Sequence, residues 1–232
     1  VLKDLFSLSN SLNLPPAPIE NVEKVGVDGF YGLASFGYDN LIYLDVTGRF
    51  DHSSTLPEEN STYFYPSISS SFVFSNLMDK SWLSFGKFRL NYAEVGSSAP
   101  ANSLVDVLDK PTPFGSVPLY GANATKNNQD LLPETTISYE AGLEMRFLNS
   151  RIGMDLSLYK TNSKDQIIPV AVSSATGYSS KFVNAGEIEN KGIEVALNGS
   201  IVPTGDFQWR ANVNWAKNQS KVLSLFEGGT NL

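Results

Sequence analysis

Between Thr136 and Phe147 the chain alternates without a break. Ile137, Tyr139, Ala141, Leu143, Met145 and Phe147 interleave with Thr136, Ser138, Glu140, Gly142, Glu144 and Arg146. A strand turns successive side chains to opposite faces, so this order gives one greasy face and one polar face. A helix would mix the two sets around its axis. The same rhythm recurs at Ile152, Met154, Leu156 and Leu158 against Gly153, Asp155, Ser157 and Tyr159. It recurs again at Phe207, Trp209, Ala211, Val213 and Trp215, and at Ile42, Leu44, Val46 and Phe50.

The pattern predicts eight strands, at 24–36, 40–51, 63–76, 84–97, 134–148, 151–163, 187–202 and 206–221. Most exceed the about 5–6 residues usual in globular sheets. They reach the about 9–11 residues a tilted strand needs to cross a bilayer. The links alternate as well. Short turns are expected at Gly37–Asn40, Asn149–Ser150 and Pro203–Gly205, with a longer one over Leu77–Leu83. Long links fall at Asp51–Thr62, Ser98–Pro133 and Lys164–Gly186. Short turns at one end and long loops at the other are the habit of outer-membrane barrels.

Composition agrees. No run of 18 apolar residues is present, which excludes a membrane-spanning helix. Barrel strands are apolar only at every second position, so a near-neutral mean hydropathy is expected of them. Aromatics reach 12%. They gather toward strand ends, at Tyr63, Phe64 and Tyr65, at Phe85 and Phe88, and at Phe207 and Trp209, and on the apolar face would form interfacial girdles. A soluble sandwich core remains an alternative reading of those rings. The formal net charge of −7 argues against nucleic acid, which needs clustered Lys and Arg. With no Cys and one His, disulfides, thiolate metal sites and multi-histidine zinc sites are excluded.

The run from Tyr43 through Gly48-Arg49 to Pro57 and on to Tyr63-Phe-Tyr-Pro-Ser67 resembles SusC/RagA-type TonB-linked outer-membrane receptors. So do Phe85-Gly-Lys-Phe-Arg-Leu-Asn-Tyr-Ala-Glu-Val-Gly96, Leu132-Pro-Glu-Thr135 with Tyr139-Glu-Ala-Gly-Leu143, Phe147-Leu-Asn-Ser-Arg151, and Asn184-Ala-Gly-Glu-Ile-Glu-Asn-Lys-Gly-Ile-Glu194. The match is ordered over about residues 24–225. Such receptors often carry Trp where His52 stands. The resemblance implies an all-β, antiparallel transmembrane barrel segment, about eight strands of a barrel of about 22 with a plugged lumen. It implies a SusD-like surface lipoprotein as partner and energy delivered by the TonB–ExbB–ExbD system through the plug. The expected cargo is an oligosaccharide or peptide, and outer-membrane lipid surrounds the barrel. Residues 1–232 are expected to form one partial barrel, with plug, signal peptide and C-terminal strands absent.

No cofactor, metal or catalytic group is expected. His52 beside Asp51 reads as a loop residue without further ligands. The acidic set Asp51, Glu58, Glu59 and Asn60 matches no calcium-loop spacing. Gly186, Gly192 and Pro66 read as sites of bulges or bends, with Asn190-Lys191-Gly192 turning the chain back into the sheet. Inside a wide lumen, charges on the polar face are tolerated, so Arg49, Lys87, Arg89, Glu140, Glu144 and Arg146 are expected to face the plug or the transport path. In the two largest loops Phe114, Tyr120, Asn123, Asn127, Asn128 and Tyr178 combine flat rings with amides. Those groups suit sugar faces and hydroxyls, or peptide backbones. Two other architectures stay open: a complete eight-stranded outer-membrane barrel, and a soluble carbohydrate-binding β-sandwich.

Overall fold

The computed structural model describes residues 3–4, 22–111, 113–201 and 209–226. Eight long strands form one antiparallel sheet: β1 (Val27–Tyr38), β2 (Ile42–Ser53), β3 (Thr62–Phe72), β4 (Leu83–Ser97), β8 (Glu134–Phe147), β9 (Ile152–Lys164), β12 (Glu187–Ile201) and β13 (Trp209–Ser224). Their spatial order, β1-β2-β3-β4-β8-β9-β12-β13, follows the chain, so each strand pairs with the next long one. The expected turn at Pro203–Gly205, Phe207 and the start of the last strand lie outside the described residues.

The links explain this up-and-down order. Asp39 and Asn40 both take positive φ, 51° and 52°, and the Leu41 amide donates to the Tyr38 carbonyl at 2.9 Å. That is a type I′ turn, whose twist matches the flanking strands, and Asp and Asn tolerate it. The β8–β9 hairpin closes similarly through Leu148, Asn149 and Ser150, all left-handed. The opposite end carries the excursions at 54–61, 98–133 and 165–186. Within them lie five short strands that alternation does not reveal: β5 (Leu108–Asp109), β6 (Gly121–Ala122), β7 (Thr125–Lys126), β10 (Ile167–Ala171) and β11 (Ser180–Asn184). β10, β11 and β7 make a small sheet, and β5 pairs with β6.

Register settles which side chains share a face. Ile68, Tyr92, Tyr139 and Lys160 occupy one row, Leu90, Ala141 and Leu158 the next, and Phe88, Leu143 and Leu156 the one below. The other face carries Thr47 beside Ser67, Ser69 beside Asn91, Ser138 beside Thr161 and Thr136 beside Ser163, each pair joined by a side-chain hydrogen bond of 2.5–3.2 Å. The apolar face has no covering layer among the described residues: Phe30, Phe36, Phe64, Leu90, Leu158 and Val213 are all exposed. A sandwich would press that face against a second sheet. A closed eight-stranded barrel would pair β1 with β13, and these strands are instead the two ends of the sheet. Both alternative architectures therefore fail.

Five local expectations need correction. His52 lies within β2, not in a loop, and Asp51 is inside the strand and not at the start of a link, because β2 runs on to Ser53 opposite Val27. Strict alternation splits the run Tyr63-Phe64-Tyr65: Phe64 joins Phe50 on the apolar face at 4.5 Å between centroids, whereas Tyr63 and Tyr65 oppose Asp51 and Arg49 on the polar face. Phe85 also sits on the polar side, under Lys87 and Arg146, past a register shift between Leu83 and Phe85. The bend entering β12 falls at Gly186 (φ 82°) and the Glu187/Ile188 shift, while Gly192 stays in regular pairing. A Cβ at Gly192 would come within 2.5 Å of the Tyr159 hydroxyl, so this glycine makes room for a ring. Pro66 keeps the β2 ladder unbroken and stands just before Ser67, where pairing with β4 begins. Its missing N–H thus falls where no β4 partner is required.

If the greasy face meets hydrocarbon, Leu143→Arg in the full-length receptor will destabilise folding into lipid vesicles by about 2–4 kcal/mol. Thr161→Lys on the polar face will cost less than about 1 kcal/mol in the same titration. Equal costs would show that the two faces meet the same medium.

Candidate functional site: a charged polar face and a braced loop body

Two side-chain clusters stand out, one on the polar face of the sheet and one in the loops. On the polar face Glu144 is the hub. Its carboxylate accepts from Lys87 at 3.0 Å and Arg146 at 2.8 Å, with Arg89 at 3.9 Å. Arg89 then crosses β8 to reach Asp155 with both terminal nitrogens, at 2.9 and 3.0 Å. The crossing is possible because Gly142 lies beneath: a Cβ there would be 2.7 Å from the Arg89 Nε. A fork-shaped guanidinium held on both oxygens is fixed in direction as well as charge. Near the loop end of this face Asp51 accepts from Arg49 Nε at 2.7 Å and from the Tyr65 hydroxyl. Glu140 shares the face, opposite Asn91 and Tyr159.

All six charged residues expected on the inner side, Arg49, Lys87, Arg89, Glu140, Glu144 and Arg146, therefore occupy one face. Asp155, Tyr63 and Tyr65 belong with them. Asp155 was visible in the alternation of β9, but its role depends on reach across two strands, which period alone does not reveal.

The loop residues divide. Leu56, Ala99, Leu131 and Ile167 form a small buried core, with Tyr63, Leu104 and Phe182 against it, so the three long links pack as one body. Asn127 is buried in this body, and its amide donates to the carbonyls of Asn102 (2.8 Å) and Val105 (2.6 Å). Both amide hydrogens are thus engaged internally. The Asn128 side chain accepts from the Asp130 amide at 3.1 Å. Tyr178 lies under the Lys126 ammonium, 4.9 Å from its centroid, and its hydroxyl approaches Asp106 at 3.5 Å. Asn123, with its amide nitrogen turned to Asp109, donates to both carboxylate oxygens at 2.6 and 2.8 Å. Phe114 and Tyr120 differ from these: they are 80% and 64% exposed on the 105–120 excursion.

Asp106 ties the loop body together and was missed in the sequence, where a single acid in a long loop carries no pattern. Its carboxylate accepts from Lys126 Nζ at 3.0 Å and from the Asn127 amide at 2.8 Å. The Lys126 ammonium, then the Asn127 N–H, hold its pKa below the ordinary carboxylate value, and Asp106 holds Lys126 above its own. Among the described residues no group of three or more His, Asp or Glu side chains converges as a metal site would require.

An open antiparallel sheet with one greasy and one charged face, short turns at one end and a packed loop body at the other, defines a segment of an outer-membrane receptor barrel. The model for the TonB dependent receptor-like β-barrel matches residues 4–231, and the chain belongs to that family. It is 28% identical over 205 residues to a TonB-dependent receptor of Formosa agariphila, covering 86% of this chain and 21% of that protein. Against the TonB-dependent receptor SusC of Bacteroides thetaiotaomicron the identity is 25% over 210 residues, again 86% of this chain and 21% of the relative. The chain thus spans about a fifth of the length of the curated relatives it matches. In fold it superposes on the RagAB peptide transporter with a TM-score of 0.88, at 24% identity, over 98% of this chain and 26% of that one. The siderophore receptor PirA of Pseudomonas aeruginosa gives 0.55 at 17% identity, over 85% and 35%.

A depressed carboxyl stabilises its contacts above the ordinary acid range, and that contribution fades as pH falls through the lowered value. The protection factor of the Asn127 amide, corrected for the pH dependence of intrinsic exchange, is therefore expected to hold from neutral pH into mild acid and to fall as pH drops through the lowered Asp106 value. Asp106→Asn should exchange faster at neutral pH and lose this acid-dependent step.

Proposed function

We propose that this chain is part of an outer-membrane importer that passes oligosaccharide or peptide fragments through a plugged lumen. The observation that carries the reading is the segregation of the sheet: hydrocarbon side chains on one face, and the Lys87–Glu144–Arg89–Asp155 network on the other. Charges of that density suit a wide, wet interior and would be out of place in a narrow dry one. The inner charges would contact the plug or line the path beside it. Energy would arrive through TonB–ExbB–ExbD acting on that plug, and a SusD-like surface lipoprotein would close the outer mouth.

No bond is broken in such a cycle, so no catalytic residue is assigned. Specificity would come from the loop body, which stands at the outer end. Within it, the braced residues Asn127, Asn128 and Tyr178 would hold shape, and Asn123 would position the β5–β6 pair through Asp109. Phe114 and Tyr120 are the groups free to lie against cargo or lid. The likeness to RagAB, described as a peptide transporter, supports the peptide class, and the pairing of exposed rings with loop amides supports the oligosaccharide class.

The test is uptake in cells carrying the full-length receptor as sole importer. Phe114→Ala and Tyr120→Ala are each expected to weaken cargo or lid binding by about 1–2 kcal/mol, or about 5–30-fold. Surface receptor levels should stay unchanged. Wild-type uptake in cells lacking TonB, or unaltered uptake in the double variant, would overturn the reading.

A further inference from the structure

We propose that the outward face of β9, β12 and β13 binds the phosphate groups of an outer-leaflet glycolipid, one acyl chain of which lies in the adjoining hollow between β3 and β9. The inference rests on the barrel placement in a membrane, and not on what the receptor imports.

Along β9 the outward residues Ile152, Met154, Leu156 and Leu158 are apolar, and then the row changes to Lys160, Asn162 and Lys164. On β12 the change comes after Ile193, at Lys191 and Glu189, and on β13 after Trp215, at Lys217 and Lys221. Register places all of these on the same side as Leu143 and Leu156. Five lysines (160, 164, 191, 217 and 221) face two glutamates (187 and 189) on these three strands, leaving a surplus of three positive charges in a chain whose net charge is −7. Glu189 takes Lys160 at 2.8 Å and Lys191 at 3.4 Å, and Glu187 takes Lys164 at 3.7 Å. Lys217 and Lys221 have no acidic partner among the described residues. The cluster begins with Lys217 in the row of Ala141 and Leu158, and continues with Lys160 and Lys191 in the row of Tyr139, beside Tyr92, whose hydroxyl donates to Glu94. Rings with a wet end mark the height at which hydrocarbon gives way to headgroups.

Next to Lys160 the same face is hollowed. Small residues at Ser70 and Ala141 leave a cavity of about 490 Å³ walled by Ile68, Leu90 and Leu158, with Lys160 at its rim. All four strands that form it lie inside the sheet, paired on both sides. An apolar trough that ends at excess positive charge is complementary to one kind of molecule: an acyl chain joined to a phosphorylated headgroup. A neutral or zwitterionic lipid would fill the trough and leave the lysines unmatched.

The full-length receptor, reconstituted in zwitterionic nanodiscs doped with lipid A or with its dephosphorylated form, tests this by lipid retention in native mass spectrometry. Each basic residue near a headgroup plane contributes enough that its loss should lower retention about five-fold. K160Q, K191Q, K217Q and K221Q combined should therefore abolish the preference for the phosphorylated lipid, and the corresponding arginine variants should restore it. The pair K217Q and K221Q, which breaks no ion pair seen here, gives the same readout if the larger set folds poorly. Ala141→Trp, which fills the hollow, should lower retention of both lipids, and K110Q with K181Q in the loops should change nothing. Equal retention of the two lipids by the wild type, full retention by the lysine variants, or displacement by inorganic phosphate alone would overturn the proposal. Cargo uptake by the same variants is expected to remain at wild-type level, which separates this proposal from the import reading.

Discussion

Every strand of this sheet depends on its neighbour for hydrogen bonds, because an extended segment satisfies none of its own. In hydrocarbon no water substitutes for the missing partner. That single requirement orders the rest of the structure. It forces long strands into continuous pairing from β1 to β13, confines irregular backbone to the two ends, and leaves only side-chain direction free to encode what each face meets. The sheet described here still has two unpaired edges, at β1 and β13, and within a barrel those edges belong against further strands.

The polar face shows how charge is accommodated where a core would exclude it. Glu144 gathers three basic groups, and Arg89 reaches over a glycine to a second acid. The partners range from 17% exposed at Glu144 to 53% at Arg146 and water still reaches the network, so pairing adds little stability on its own. Its effect is geometric: long side chains that would otherwise sweep freely are tied down in fixed directions. The hydroxyl pairs Thr47–Ser67, Ser138–Thr161 and Thr136–Ser163 do the same in the neutral part of the face.

Much of this architecture was legible in the residues. All eight long strands fall within a few positions of where alternation places them, because a two-residue period is a local property that tertiary contacts reinforce. That the six charged residues share one face followed for the same reason. Other features were not local. Tyr63 and Tyr65 belong to the polar side because an aromatic run obeys alternation regardless of its greasiness. Asp51 extends β2 because Arg49 and Tyr65 satisfy its carboxylate there, so a charged residue did not end the strand. The short strands β5, β6, β7, β10 and β11 have too few residues to show a period, and the Asp106 brace joins positions twenty and more apart. Asn127 looks like a recognition amide in the sequence, and only its two carbonyl partners show that it is consumed by the loop itself.

The left-handed residues at Asp39–Asn40 and Leu148–Ser150 have a kinetic meaning. A turn whose handedness already matches strand twist closes a hairpin from contacts a few residues apart, before any distant partner is found. β1–β2 and β8–β9 are therefore the pairs whose closure gathers the least chain.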